Sequence, residues 1–218
     1  DHSWLENLLA ASGMNHSLPD MSDLHIQANI SDSLTAPQVG VTIRSYLGDV
    51  DIAGSLDLQK ERFKMGFFLN RVSLGEILSI PHMETFTGTG EINGESFSGE
   101  YLNAAFQMQI DTLGFKEYNY SQMLLHGSLK PGEYEFHMLA NDSSLKGDMN
   151  VVLNLADSTY RVKATGNAMA QLHSLHLYDE ALTVETGLEA HLRGRKNELE
   201  SEILFNDLTF TSSRERAL

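Results

Sequence analysis

Apolar and polar residues alternate along most of this chain, and the alternation predicts β-strands. The clearest case is the segment 149–155, MNVVLNL, which is followed by a turn at 157–158 and a second alternating segment from Tyr160 to Gly166. A period of two residues places alternate side chains on opposite faces of a strand. The pattern therefore predicts strands with one apolar face and one polar face.

The same pattern recurs at short intervals. It predicts strands at 24–30, 39–43, 50–58, 63–69, 86–92, 102–110, 118–129, 134–138, 145–155, 159–168, 182–192 and 199–210. Turn residues such as those at 130–132 separate neighbouring segments. Parallel pairing would need helical crossovers of a dozen residues between strands, and such patterns hardly occur here. We expect an all-β fold, an elongated antiparallel sheet in which each strand pairs with the next.

Helical spacing interrupts the strands at few points. Residues 3–12 predict a short N-terminal helix that stops at Gly13, and residues 72–80 predict a short helical break closed by Pro81. The segment 54–78 also aligns loosely with 151–177, each as strand, tight turn, strand and leucine-rich break. A repeat of this size indicates growth along one axis.

The expected organisation is an N-terminal helix and linker at 1–20, followed by β-repeats over 21–218. We divide these repeats into approximate units at 21–95, 96–145 and 146–218.

Composition excludes several classes of function. The chain has 218 residues and a formal net charge of -15, so nucleic acid is a poor partner, because phosphate binding needs clustered Lys and Arg. It has no cysteine, which excludes disulfides and thiolate chemistry. No apolar run approaches the roughly 18 residues of a spanning helix, which predicts a soluble segment. The start without a Met or a leader predicts a processed or excised segment.

Residues that could carry chemistry have simpler explanations. The closest pair among the nine histidines is His173 and His176, and strand spacing would send these two to opposite faces. The glycine-rich segment 88–94 opens no helix, so a β-bulge or a close approach of strands explains it better than a phosphate loop. Acidic residues that alternate with apolar ones are typical of the wet face of a sheet: Asp179, Glu180, Glu198, Glu200 and Glu202. We predict no enzyme activity, no metal site and no cofactor.

The apolar stripe itself has two explanations. One is the core of a closed β-sandwich, as in an adhesin-like or structural interaction module without a lipid ligand. The other, favoured by the repeat and the short breaks, is an open sheet curled around an apolar groove. Such a groove would exceed the few hundred Å² of exposed apolar surface usual in a soluble monomer. Lipid acyl chains would suit it, since each buried methylene contributes roughly 0.8 kcal/mol. The residues predicted to line it are Ile52, Leu56, Phe67, Leu69, Met149, Val151, Leu153, Val162, Val184, Leu188 and Leu192.

A family resemblance supports the open alternative. The segment Gln171–Phe210, QLHSLHLYDEALTVETGLEAHLRGRKNELESEILFNDLTF, resembles the repeating module of the TamB and AsmA-like family of the translocation and assembly module. That module begins with a leucine-rich element of the form L..L.L.DE.L. Two strands follow this element, and the first of them ends in a glycine turn. The segments VDIAGSLDL and RVSLGEIL are similar to AsmA-like repeats as well. The resemblance in hydrophobic pattern covers most of the chain, and it is specific mainly over 171–210.

The resemblance implies a periplasmic segment of a protein anchored in the inner membrane. It implies a taco-like β-groove with a hydrophobic interior that takes phospholipid acyl chains, and a role in phospholipid transport or outer-membrane protein assembly. It brings no catalytic residues. The family's membrane anchor, and the domain that engages an outer-membrane barrel partner of the TamA type, are expected outside this segment.

Overall fold

A computed structural model describes residues 23–97, 101–156, 159–195 and 198–212 of the chain. They form thirteen strands and one short helix, α1 (Leu74–Leu78). The strands are β1 (His25–Ser33), β2 (Ala36–Ser45), β3 (Gly48–Asp57), β4 (Arg62–Ser73), β5 (Met83–Glu95), β6 (Asn103–Phe115), β7 (Tyr118–Tyr120), β8 (Met123–Lys130), β9 (Glu133–Asn141), β10 (Leu145–Ala156), β11 (Thr159–Gln171), β12 (Leu182–Arg195) and β13 (Glu198–Ser212).

The strands form one open, 13-stranded antiparallel sheet in which neighbours in sequence are neighbours in space. Only the short β7 departs from this order, because it pairs with β6 while β8 continues the sheet on the same side. The all-β, antiparallel prediction is confirmed. The described strands belong to a single sheet, whereas a sandwich requires two.

Sequence patterns located the strands well and their interruptions less well. The predicted strand at 118–129 is wrong in one respect, because it is two strands, β7 and β8, separated at Ser121 and Gln122. Gln122 has a left-handed φ of 52°, and the pairing of β8 with β6 begins only at Met123. Apolar alternation carries no signal for such a local break.

The two leucine-rich breaks differ from each other. The predicted helical break at 72–80 contains α1, which ends where Ser79 adopts a left-handed φ of 54°. The break at 172–177 is a series of turns, closed by bonds such as Leu177 N to Leu172 O at 2.9 Å. His176 has a φ of 56°, which ends any helical run at that residue. The predicted N-terminal helix and the unit 1–20 lie outside the described residues.

The connections at one end of the strands include the longest in the described sheet, and several are hydrogen-bonded to one another or to neighbouring strand ends. This capped end comprises the connections at 46–47, 74–82, 116–122, 142–144 and 172–181. Backbone bonds cross between them and the neighbouring strand ends: Ser73 N to Leu47 O at 2.7 Å, Lys116 N to His82 O at 3.0 Å and Gln171 N to Ser144 O at 2.8 Å. His176 Nδ1 also lies 3.2 Å from Lys116 O. The capped end is therefore tied across the sheet as well as along the chain.

Most of the best-buried side chains lie at the capped end. Phe86, Ile110, Met123 and Ala140 form a buried cluster on the apolar face, and Leu74 of α1 packs against it. Leu175, in the connection after β11, is only 1% exposed. Among the described residues, no helix has the length and apolar character needed to cross a membrane.

Candidate functional site

Strand register places the predicted groove residues on one face of the sheet. Directly paired residues in adjacent strands point to the same side, so the pairs can be followed from strand to strand. In the first half Ile52 faces Phe67, which faces Gly90, which faces Met108. In the second half Val151 lies between Phe136 and Ala164, and Leu153 faces Val162, which faces Leu192.

The two halves join through the central strands. Met108 faces Leu125, which faces Met138, and Met138 faces Met149. Every predicted groove residue, including Leu56, Leu69, Val184 and Leu188, lies on this connected surface, which we call the apolar face. The structure thus brings together side chains that are more than a hundred residues apart in sequence.

All of these predicted residues are half-buried. A residue in a closed core would be almost completely shielded, as Ile110 is with 6% exposed. On the apolar face the shielding comes from neighbours in the same sheet, and the described residues place no second sheet over it.

Large side chains on the apolar face lie over glycines of the neighbouring strand. Phe67 pairs with Gly90, and a Cβ added at Gly90 would overlap the Phe67 ring. Gly127 lies between Phe106 and Phe136, whose ring centroids approach to 6.0 Å across it. The same relation holds for Phe63 with Gly94, Met65 with Gly54, Met149 with Gly166 and Tyr160 with Gly194. Flat packing of this kind half-buries these large side chains, except the exposed Tyr160, without a covering layer.

The central strands add apolar-face residues that the sequence analysis did not name. They are Ile92, Phe106, Met108, Leu125, Phe136 and Met138, all half-buried. A signal for them existed, since Phe106, Met108 and Ile110 alternate with Gln107 and Gln109. Only the register shows that they connect the two predicted halves.

The opposite face, the polar face, carries charged side chains, several of which form pairs across strands. Arg44 Nη2 lies 2.8 Å from Asp51 Oδ1, and Arg62 Nη2 lies 2.8 Å from Glu95 Oε1. Hydrogen bonds from Arg44 and Thr42 hold the pKa of Asp51 below its ordinary value. A hydrogen bond from His191, then the charge of Lys163, do the same for the pKa of Glu189. These pairs are typical of a solvated face.

Other chemical candidates from the sequence are not brought together. His173 and His176 lie in the turns of the capped end, where His176 is bonded to Lys116. Glu200 and Glu202 lie on the polar face opposite Arg193 and His191. The glycine-rich segment 88–94 lies inside β5, next to a register shift at Thr87/Gly88. Within the described residues no group of three or more His, Asp and Glu side chains is arranged to hold a metal ion.

Comparisons with protein-family models, with curated proteins and with solved structures give no match.

Proposed function

We propose that this chain is a periplasmic segment of a TamB-like envelope-biogenesis protein that binds or conducts phospholipid acyl chains along its apolar face. The observation that carries the proposal is the connected apolar face itself. It runs from β2 through the central strands to β12, half-buried by its own sheet and with no second sheet over it among the described residues. An exposed apolar surface of this extent in water needs a ligand or a partner.

An acyl chain suits such a surface better than a small polar ligand. The face offers methyl, methylene and ring carbons from strand after strand and few polar side chains. Each methylene transferred from water contributes roughly 0.8 kcal/mol when fully buried, and less when one side stays open. Affinity would therefore grow with the number of strands that the acyl chain crosses, and neighbouring strands are about 4.8 Å apart.

Curling of the sheet into a taco-like groove is part of the proposal. Its support is the position of the register shifts, at Leu69/Val72, Met83/Phe86, Thr87/Gly88 and Glu185/Gly187. All lie toward the capped end, and a β-bulge bends the strand that carries it. Strands bent there would close the groove along that side.

The periplasmic location and the role in outer-membrane assembly rest on the resemblance of 171–210 to the family module. In the proposal, contact with an outer-membrane barrel partner of the TamA type is made by regions outside this segment. The net charge of -15 is compatible with a polar face in water on the outside of the groove.

Site-specific photocrosslinking in cells tests the proposal. A photoreactive amino acid is placed in turn at each position from Met149 to Leu153 of the full-length protein that carries this segment, and attached phospholipid is detected. Val151 and Val152 form a matched pair, because both are half-buried valines of β10 on opposite faces. We expect lipid adducts at Met149, Val151 and Leu153 and none at Asn150 and Val152.

Two results would count against lipid binding by this face. Adducts at Val151 and Val152 in equal yield would show non-specific contact with membrane. Absence of adducts at every position, with the protein present at normal levels, would favour a structural module in which the apolar face packs against protein.

A further inference from the structure

Two histidines face each other at the centre of the polar face. His126 of β8 and His137 of β9 are directly paired in the register, on the opposite side from the apolar face. His137 Nδ1 lies 3.1 Å from His126 Nε2, and the ring centroids are 4.6 Å apart. The proposed lipid-binding function uses neither residue.

A carboxylate orients one of these rings. Asp148 Oδ1 lies 2.6 Å from His137 Nε2. Because a carboxylate accepts hydrogen bonds, the Nε2 atom of His137 carries the proton, and in the neutral ring the lone pair is on Nδ1. That lone pair points toward His126 Nε2. Histidines that bind metals commonly donate their second N–H to a carboxylate in this way.

We propose that His126 and His137 form a bidentate site for a divalent transition-metal ion such as Zn²⁺ or Cu²⁺, with Asp148 as the positioning residue. A metal about 2.05 Å from each nitrogen would span a 3.1 Å separation with an N–metal–N angle of about 98°. This angle lies between square-planar and tetrahedral geometry, and both are common for imidazole complexes of these metals. On binding, His126 moves its proton to Nδ1 and presents Nε2 as the second ligand.

Space and charge around the pair suit a cation. A hollow of about 660 Å³ lies beside the two rings and is lined by Gln107, Glu135 and Asn150 among others. The described residues hold no third side chain in place as a ligand. Water or an external donor therefore completes the coordination, which makes this a site of moderate affinity. The carboxylates of Asp148 and Glu135 add a local negative potential that attracts cations.

The chain provides a matched control on the same face. His191 Nε2 lies 3.0 Å from Glu189 Oε1, so it too is a histidine oriented by a carboxylate. Its directly paired residues are Lys163 and Glu202, so no second imidazole faces it. A metal that needs two imidazoles would use His126 and His137 and leave His191 free.

Calorimetric titration of the tag-free chain with ZnCl₂ in a non-coordinating buffer tests this. We expect one equivalent to bind to the wild-type chain, and His126→Asn and His137→Asn each to weaken binding at least tenfold. Asp148→Ala is expected to weaken binding about 10-fold through loss of ring orientation. His191→Asn is expected to bind as the wild type does. With Cu²⁺, electron paramagnetic resonance should show two coordinated nitrogens, and one in either of the two single variants.

The site would be refuted by any of three results in variants whose circular dichroism matches the wild type. The first is no binding to the wild-type chain at millimolar metal. The second is unchanged binding after His126→Asn and His137→Asn are combined. The third is an equal loss of affinity in His191→Asn, which would point to non-specific coordination by surface histidines.

Discussion

Asp142 holds together three segments of the capped end. Its side chain accepts hydrogen bonds from the Tyr118 hydroxyl, from Ser121 N at 3.0 Å and Oγ at 2.9 Å, and from Ser144 N at 2.8 Å. The residue is only 2% exposed. Burial alone would raise the pKa of Asp142, but the hydrogen bonds from Tyr118, Ser144 and Ser121 hold it below its ordinary value. The ionised carboxylate therefore stabilises the join between β7, β8 and the turn before β10.

This arrangement predicts acid-sensitive stability. A carboxyl whose pKa is lower in the folded state contributes stability above its unfolded pKa of about 3.9, and this contribution is lost as the pH falls through the folded pKa. At pH 7 we expect Asp142→Asn to lower the free energy of unfolding by about 2 kcal/mol, since an amide leaves charge-assisted bonds unmade. Urea unfolding of both proteins at pH 7 and pH 3 measures this. A difference that does not shrink at pH 3 would show that the carboxylate charge plays no part.

At the scale of elements, strand pairing on the apolar face depends on glycines opposite large side chains. Between β4 and β5, Phe67 faces Gly90, Phe63 faces Gly94 and Leu69 faces Gly88. The ring of Phe67 occupies the space that a Cβ at Gly90 would need. Gly90 and Gly94 are required for side-chain packing, because a methyl group at either position would overlap the ring of the residue paired with it.

Two glycine-to-alanine substitutions distinguish the effect of this side-chain packing from the general effect of replacing glycine by alanine in a strand. We expect Gly90→Ala to destabilise the protein by about 1–3 kcal/mol, the range for an overpacked site. Gly66→Ala is the control, because Gly66 lies on the polar face of the adjacent strand, where the nearest atoms to an added Cβ are 3.7 and 3.8 Å away. That change should be neutral or stabilise by a few tenths of a kcal/mol. Urea unfolding of each variant is the measurement, and equal effects would refute the packing argument.

For the molecule as a whole, stability is built from contacts between neighbouring strands. Each strand of the single sheet pairs with the strands before and after it, except where β7 intervenes. Within the part of the chain that the structure describes, the terminal strands are paired on one side only. Every side chain of β1 is exposed, as are those of β13 from Glu200 to Ser212. The centre has two pairing partners per strand and the buried cluster at the capped end. We therefore expect local stability to fall from the centre of the sheet toward its two edges.

Hydrogen exchange followed by mass spectrometry measures this gradient. Peptides from β1 and β13 should exchange fastest, and peptides from β6, β8 and β9 slowest. The measurement is made at two protein concentrations, because exposed sheet edges can pair with another copy. Protection of β1 or β13 that rises with concentration would indicate edge pairing. Uniform protection from exchange across all strands would contradict the expectation that local stability arises from contacts between neighbouring strands and falls toward the edges.

Much of the fold could be predicted because its main signal is local. Alternation with period two depends only on adjacent residues, so the strands around Met149–Leu155 and Tyr160–Gly166 were recognisable without tertiary information. The interruptions were less accessible. The split between β7 and β8 and the turns at 172–177 depend on left-handed residues and on hydrogen bonds between distant connections, which leave no periodic trace.

The amino-acid sequence by itself determined most of the strands, their antiparallel order and which side chains of each strand share a face, because all of these follow from residue spacing along the chain. The tertiary structure alone decided how the apolar sides of the separate strands align into one continuous surface. This alignment is set by the register between strands, which depends on bulges and on pairing partners from other segments. It also decided that Asp142 is buried among donors from Tyr118, Ser121 and Ser144, and that His126 meets His137 and Asp148. Those contacts join residues of different strands and turns, whose positions become defined only when the sheet forms.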